Sequence, residues 1–439
     1  MGLLDRLQGA FGAGTDAMVA VAAYMVSEGG ELDGIDDFQE RNFTPGVSES
    51  LTARGCGELF EALDPQKFKG FFTGWVRSAL RGGAVCYGLT SVSSYARAIP
   101  DLMCGYDRDP GDYPRFDIGM FRCESGKLPV YYDRCVGSLT DEGNLSQVLA
   151  KAKSVGIGKV KLILDGGPIN DDYFKSINGL CDSFTVGIPT SLGISKAMIG
   201  ENIDGITREA NELNDPGMFC VQKGASVCGI GGKLMLYFDP VNRALARGEL
   251  SARVGALSAE LAGLKGGPIG DLEKYAKYFA LKRHEGGGFG FAVDDAAVER
   301  SMKPKGFFLV FTTDMAATPV DTLYHYRARD ADGKAFDQIK LDMVGGRVHG
   351  HNERATEGKV FVTFLALAIR AYMLGKLDGY LSSNQTSFKK VIKKLENIMA
   401  VQSNGKPRLV KALTEGQKEI LAAFDAVGSM ETSPGSCLR

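Results

Sequence analysis

Asp165 closes the apolar run KVKLILD (159–165), which reads as a buried strand. A carboxylate at the C-terminal end of such a strand projects past the sheet edge, where open α/β sheets place their ligand sites. Such an acid can bind a ligand or simply cap the strand end, and the run alone supports both. Further along, Tyr326, Arg329 and Lys340 fall on DTLYHYRARDADGKAFDQIK (321–340), a stretch that is helical by periodicity, in the spacing Tyr326-x2-Arg329-x3-Gly333-x6-Lys340.

Other chemistry-bearing residues point less sharply. His349 and His351 sit two apart in a Gly-rich stretch and read better as solvent-facing loop residues than as metal ligands. The nine cysteines, Cys56 to Cys437, include no C-x-x-C pair, which indicates reduced thiols rather than a disulfide frame or zinc site. HEGGGFGF (284–291) lacks the Gly-x-Gly-x-x-Gly spacing and following helix of a phosphate cradle, so a hairpin or loop is expected.

The net charge of −2 gives no global attraction to nucleic acid, but the charge is unevenly placed. Glu31, Asp33, Asp36, Asp37 and Glu40 make the first fifty residues acidic. Residues 389–411 carry Lys389, Lys390, Lys393, Lys394, Lys406, Arg408 and Lys411 against the single acid Glu396. That run reads either as a solvated helix face or as a contact with a DNA backbone.

The elements that must position these residues follow from periodicity. Residues 1–80 read as mostly helical, with FKGFFTGWVRSAL (68–80) placing apolar positions at helical spacing. Strands are expected at 83–91, 115–123 and 127–133, the last two joined by the hairpin signal ESG. A helix over 141–158 precedes the strand ending at Asp165, and a helix (171–180) and strand (183–189) follow. This order describes an α/β fold with a mixed sheet and flanking helices. From 190 to 318 strands such as 232–239 and 306–314 flank a helix near 244–263, and 358–374 is an apolar buried helix. The last ten or so residues read as a disordered tail. The first thirty residues lack a signal peptide's basic start and unbroken apolar core, and no run reaches the roughly 18 uninterrupted apolar residues of a spanning helix. A cytoplasmic protein without membrane contact is expected.

Several segments together resemble one family. GAVCYGLTSVSSYA (83–96), GYDRDPGDYPRFDIGMF (105–121), LPVYYDRCVGSLTDEGNL (128–145), KLILDGGPINDDYFKSI (161–177) and EGKVFVTFLALAIRAYM (357–373) resemble, in order, the core segments of DDE-class insertion-sequence transposases. The helix at 321–340 resembles their Y-R-E-K signature, and the match is nearest to the IS1634-like subgroup. The resemblance implies a ribonuclease H-like core (83–189 and 319–380), a β-rich insertion (190–318), a helical N-terminal region (1–82) and a basic helical C-terminal region (381–439).

It also implies chemistry. In such enzymes two Asp and one Glu hold Mg²⁺ ions that activate water, then a DNA 3′-hydroxyl, for attack on phosphodiesters. The signature's Tyr, Arg and Lys help hold transposon-end DNA; here these are Tyr326, Arg329 and Lys340, with Arg327 and Lys334 beside them. Double-stranded DNA is the implied partner, bound by a homodimer.

This sequence departs from the family at two of three carboxylates. Gly88 stands at the first Asp, Asp165 at the second, and Gly333 at the Glu. Cys86 and Thr90 share the strand face of position 88, and neither suits Mg²⁺. Asp332 lies about 100° around the helix from position 333, and Asp330 is one turn back, about 5 Å away. Gly333 also costs about 1 kcal/mol within a helix. A transposase with catalysis impaired or lost is therefore expected; the alternatives are a non-catalytic protein that binds transposon ends, and a relic.

Overall fold

Several helices in this chain begin where a side-chain oxygen meets amides that have no carbonyl partner of their own. Asp64 accepts from the Gln66 amide ahead of Pro65, Asn170 from Tyr173, Asp239 from Asn242 and Asp294 from Ala297. Thr414 and Gln417 form a reciprocal capping box. The computed structural model describes residues 2–80, 84–94, 115–123, 128–136, 141–158, 160–164, 169–213, 217–264, 272–283, 289–327, 347–348, 353–403 and 406–426. The chain divides into two compact units: Met1–Leu162 with Leu180–Asp182 and Ala328–Arg439, and Ile163–Gly179 with Ser183–Arg327.

The first unit opens with five helices: α1 (Leu3–Phe11), α2 (Thr15–Ser27), α3 (Ile35–Arg41), α4 (Ala53–Ala62) and α5 (Pro65–Ala79). Three antiparallel strands follow, β1 (Ala84–Ser94), β2 (Arg115–Cys123) and β3 (Leu128–Val136), then α6 (Asp141–Ser154). Strand β4 (Lys161–Leu164) carries the chain out of this unit after Leu162. Strand β2 coincides with the expected 115–123. Strand β1 runs on to Ser94, because Val92 and Ser93 still pair with Phe116 and Arg115. The strand order is β3-β2-β1-β4.

A 31-residue helix, numbered α13 in chain order (Glu353–Ser383), organises this unit's core. Between Ala355 and Ala368 it is buried at nearly every position, which explains an apolar run without a polar stripe. Phe361 stacks on Phe68 with ring centroids 4.4 Å apart, and Phe364 packs edge-on to Phe72. Gly358 lets α13 cross α4 closely: a Cβ there would lie against the Phe60 carbonyl. By length and composition α13 and residues 3–27 are long and apolar enough to cross a membrane, and half of the apolar window of α13 is buried within the fold.

The second unit contains the end of β4, α7 (Asp171–Asn178), β5 (Ser183–Ile188), α8 (Gly193–Asn202), β6 (Phe219–Val227), β7 (Ile230–Phe238) and α9 (Pro240–Gly263). Then come α10 (Leu272–Ala276), β8 (Phe279–Arg283), β9 (Phe289–Val293), α11 (Asp295–Met302), β10 (Phe307–Thr312) and a helix over 319–327, α12. Its sheet runs β4-β5-β10-β7-β6, with β10 antiparallel to both neighbours. Phe174 from α7 packs on Phe184 and Phe311. A second cluster joins Cys220, Met235, Tyr237 and Val310 to Leu323 and Tyr326 of α12. Strands β8 and β9 pair with Arg283 opposite Phe289, so the Gly-rich segment joins a hairpin, as its spacing suggested.

The C-terminal region is helical as expected, with α14 (Phe388–Glu396) and α15 (Glu415–Ala422), and between them the chain adds a two-stranded hairpin. This pairs β12 (Ala400–Ser403) with β13 (Lys406–Leu409). Pro407 cannot continue a helix, and Leu409 is buried with Leu413 and Leu421. The first unit also contains β11 (Arg347–Val348), parallel to β1.

Candidate functional site

Strand β1 carries Gly88, and its register fixes what surrounds that position. Gly88 lies opposite Met120 of β2, which lies opposite Tyr132 of β3. Cross-strand partners share a face, so these three residues form one row. Met120 and Tyr132 are buried, and Tyr132 packs against Phe364 of α13. The neighbouring positions Val85 and Tyr87 are buried on the other face, where the Tyr87 ring covers Gly119. A Cβ at Gly119 would lie 2.9 Å from the Tyr87 oxygen, so this small residue makes room for the ring.

A charged group that sequence reasoning missed lies two residues along, on the face of Tyr132. Arg134, two residues before the end of β3, pairs with Glu353 and Glu357 in the opening turns of α13. Its neighbour Asp133 points to the other face and meets Lys151 of α6 at 2.7 Å. Burial raises the Glu357 carboxyl, with Arg134 opposing the shift, and burial likewise raises Asp133 against Lys151. Tyr132 is pushed well above its ordinary value by burial and by nearby Glu357. The only sequence signal was an Asp-Arg pair closing an apolar strand. It binds sheet to helix.

Tyr326 and Arg327 lie on α12, whose start is held by Thr318 and Asp321. The Thr318 hydroxyl donates to the Asp321 carboxylate at 2.6 Å, and the Asp321 amide donates back to the hydroxyl at 3.1 Å. Tyr237 donates to the Pro319 carbonyl at 2.8 Å and anchors the same turn to the sheet. Tyr326 is half-buried: its ring stacks on Phe308 with centroids 5.6 Å apart and planes at 10°, and Phe308 stacks on Tyr237. Arg327, one residue on, is exposed.

The other expected site residues, Asp165, Arg329, Gly333, Lys334 and Lys340, lie outside the described residues, as do Asp330, His349 and His351. The structure thus places Gly88 in the first unit and Tyr326 with Arg327 in the second. Among the described residues no three His, Cys, Asp or Glu side chains gather as a metal site would require. Glycine at position 88 offers no ligand, and Glu353 and Glu357 are engaged by Arg134. Of the three positions expected to hold the metal, only Gly88 lies among the described residues, and its side chain offers no carboxylate.

The fold is an α/β protein with a mixed sheet, helices packed on it, and helical regions at both ends. No protein-family model matches the chain, and no curated protein matches it. Among solved structures the chain is similar to piggyBac transposase in its synaptic complex with hairpin DNA, at 10% identity and a TM-score of 0.39. That similarity covers 96% of this chain and 78% of the transposase chain.

Proposed function

We propose that this chain is a DNA-transposition protein of the DDE class whose catalytic set is incomplete. What carries the reading is the ordered run of family-like segments from 83 to 373, set on a matching order of elements. Three antiparallel strands, β1 to β3, precede α6, and β4 lies beside β1. That is the order expected of a ribonuclease H-like core, with Gly88 on β1 and Asp165 next in sequence after Leu164 of β4. The IS1634-like placement rests on the sequence segments alone.

On this reading the partner is double-stranded DNA at transposon ends, held by a homodimer in the cytoplasm. Tyr326, Arg327, Arg329, Lys334 and Lys340 are its DNA-contacting residues. Of the three positions that would hold Mg²⁺, only Asp165 retains a carboxylate, and no cleavage step is assigned to this chain. A protein that occupies transposon ends without cutting them is the second reading, favoured by glycine at both 88 and 333.

The test is cleavage of duplex DNA carrying the ends of the encoding element, in Mg²⁺ or Mn²⁺, by the unaltered chain and by the G88D/G333E double variant. Binding without cleavage by the unaltered chain, with nicking gained in the double variant, is expected. Cleavage by the unaltered chain would overturn the incomplete-set reading. Absence of both binding and cleavage in either protein would overturn the transposition reading itself.

A further inference from the structure

The small module at the end of the described chain is built around one apolar cluster with a basic exterior. Helix α14 buries Phe388, Val391 and Ile392 and leaves Lys389, Lys390, Lys393 and Lys394 exposed. Leu395 and Ile398 pack with Leu409 of the hairpin and with Leu413 and Leu421. The Gln417 side chain donates to the Lys394 carbonyl at 2.9 Å, tying α15 to the end of α14. These contacts give the module a defined shape.

Its charge is one-sided. Between Ser387 and Thr414 the sole acid is Glu396. Lys394 is committed to Tyr380, donating to its hydroxyl at 3.0 Å. Lys389, Lys390, Lys393, Arg408 and Lys411 have no acidic partner among the described residues. Lys389 with Lys393, and Lys390 with Lys394, are like charges one helical turn apart, an arrangement that weakens an isolated helix. A helix face that served only solubility would gain from alternating signs. A polyanion removes the repulsion.

The hairpin adds a second feature. Buried Leu409 fixes which face turns inward, so Val401 and Arg408, paired directly across the strands, share the outer face. Val401 and Val410 are 53% and 59% exposed, and Met399 beside them is 62% exposed. Apolar side chains next to a guanidinium on a two-stranded ribbon suit a DNA groove, which admits such a ribbon and offers both thymine methyls and acceptor edges.

We propose that duplex DNA docks on this module, with Lys389, Lys390 and Lys393 on phosphates and the outer face of β12–β13 in a groove. The inference rests on the transposition reading and adds the surface that supplies backbone affinity. Closely spaced lysines beside a ribbon whose outer face joins valines to a guanidinium select duplex DNA, which offers both rows of phosphates and a groove.

Fluorescence anisotropy of a labelled random-sequence duplex and of a transposon-end duplex, over a salt series, tests it with the full chain. The comparison is among the unaltered protein, K389Q/K390Q/K393Q, and a charge-matched control, K282Q/K303Q/K305Q. Losing three phosphate contacts is expected to lower the slope of log K against log salt by about 3 and affinity at least about tenfold, on both duplexes. The control keeps the unaltered slope. A V401S/V410S variant is expected to weaken binding with its salt slope unchanged.

Equal slopes and affinities for the lysine variant and the unaltered chain would overturn the docking surface while leaving the transposition reading intact. An unaltered chain that binds neither duplex would remove that reading and this inference together. A lysine variant altered in self-association by sedimentation, but not in DNA binding, would assign the face to a second copy and overturn the proposal. Matching thermal unfolding of all proteins confirms that the exposed substitutions leave the fold in place.

Discussion

The Tyr326 ring lies over Gly187, so near that a Cβ on that glycine would sit 2.6 Å from the phenolic oxygen. Gly187 pairs with Val310 on β10, and the ring completes a layer with Phe308 and Tyr237. The aromatic residue that the transposase resemblance assigns to DNA is therefore also a packing residue. Whatever Arg327 contacts, its backbone is positioned by this stack.

Gly187→Ala is expected to cost about 1–3 kcal/mol, because the added methyl must displace a stacked ring. In a Tyr326→Ala background the same change should cost much less, since the obstructing ring is gone. Urea unfolding of the four proteins in this cycle measures the coupling. Additive effects would show that ring and glycine do not meet.

The paired carboxylates predict a pH dependence. Asp133 and Glu357 have native affinities for protons raised mainly by burial, with Lys151 and Arg134 opposing. Above the ordinary carboxylate range the unfolded chain has released these protons while the native protein still binds them. Their contribution to stability is therefore full at low pH and falls as pH rises through the raised native values. Asp133→Asn should flatten this part of the profile, as Lys151 is half exposed and can turn to water. Denaturant melts between acidic and neutral pH, with and without the substitution, provide the check.

Trp75, the single tryptophan, is fully buried, and its indole N–H donates to the Pro129 carbonyl at 2.9 Å. Trp75→Phe keeps the aromatic packing beside Phe71 but leaves that carbonyl without its donor. A loss of about 1–3 kcal/mol is expected. The unaltered protein should show blue-shifted tryptophan emission that moves red on unfolding, and guanidinium titration should place the variant's midpoint lower.

Cys228 and Gly229 form the two-residue turn between β6 and β7, where Val227 pairs with Ile230. Both have positive φ, 50° and 74°, as a type I′ hairpin turn requires. A cysteine tolerates that region poorly and Asn tolerates it well. Cys228→Asn is expected to raise unfolding free energy by about 0.5–1 kcal/mol. Thermal unfolding in reducing buffer would show a higher midpoint.

Much of the fold was legible because its elements announce themselves locally. RFDIGMFRC alternates and ends as β2 does, and the glycines after α6 stop that helix near where the structure stops it. The hairpin β12–β13 was missed because two four-residue strands in a lysine-rich stretch carry almost no periodic signal. Strand β6 was missed for a related reason, since FCVQKGASV mixes exposed and buried positions without clean alternation.

By itself the sequence determined that positions 88 and 333 are glycine and so carry no side-chain carboxylate, whatever the fold. It located helices without fixing their first residues: α9 starts at Pro240 rather than near 244, and α13 at Glu353 rather than 358. Only the tertiary structure decided that Arg134 holds the first turns of a helix more than two hundred residues away. It alone seated Tyr326 on Gly187 and turned Val401 and Arg408 outward together. These relationships depend on which distant surfaces meet, and burial of apolar faces between sheet and helices selects that pairing, which no local period encodes.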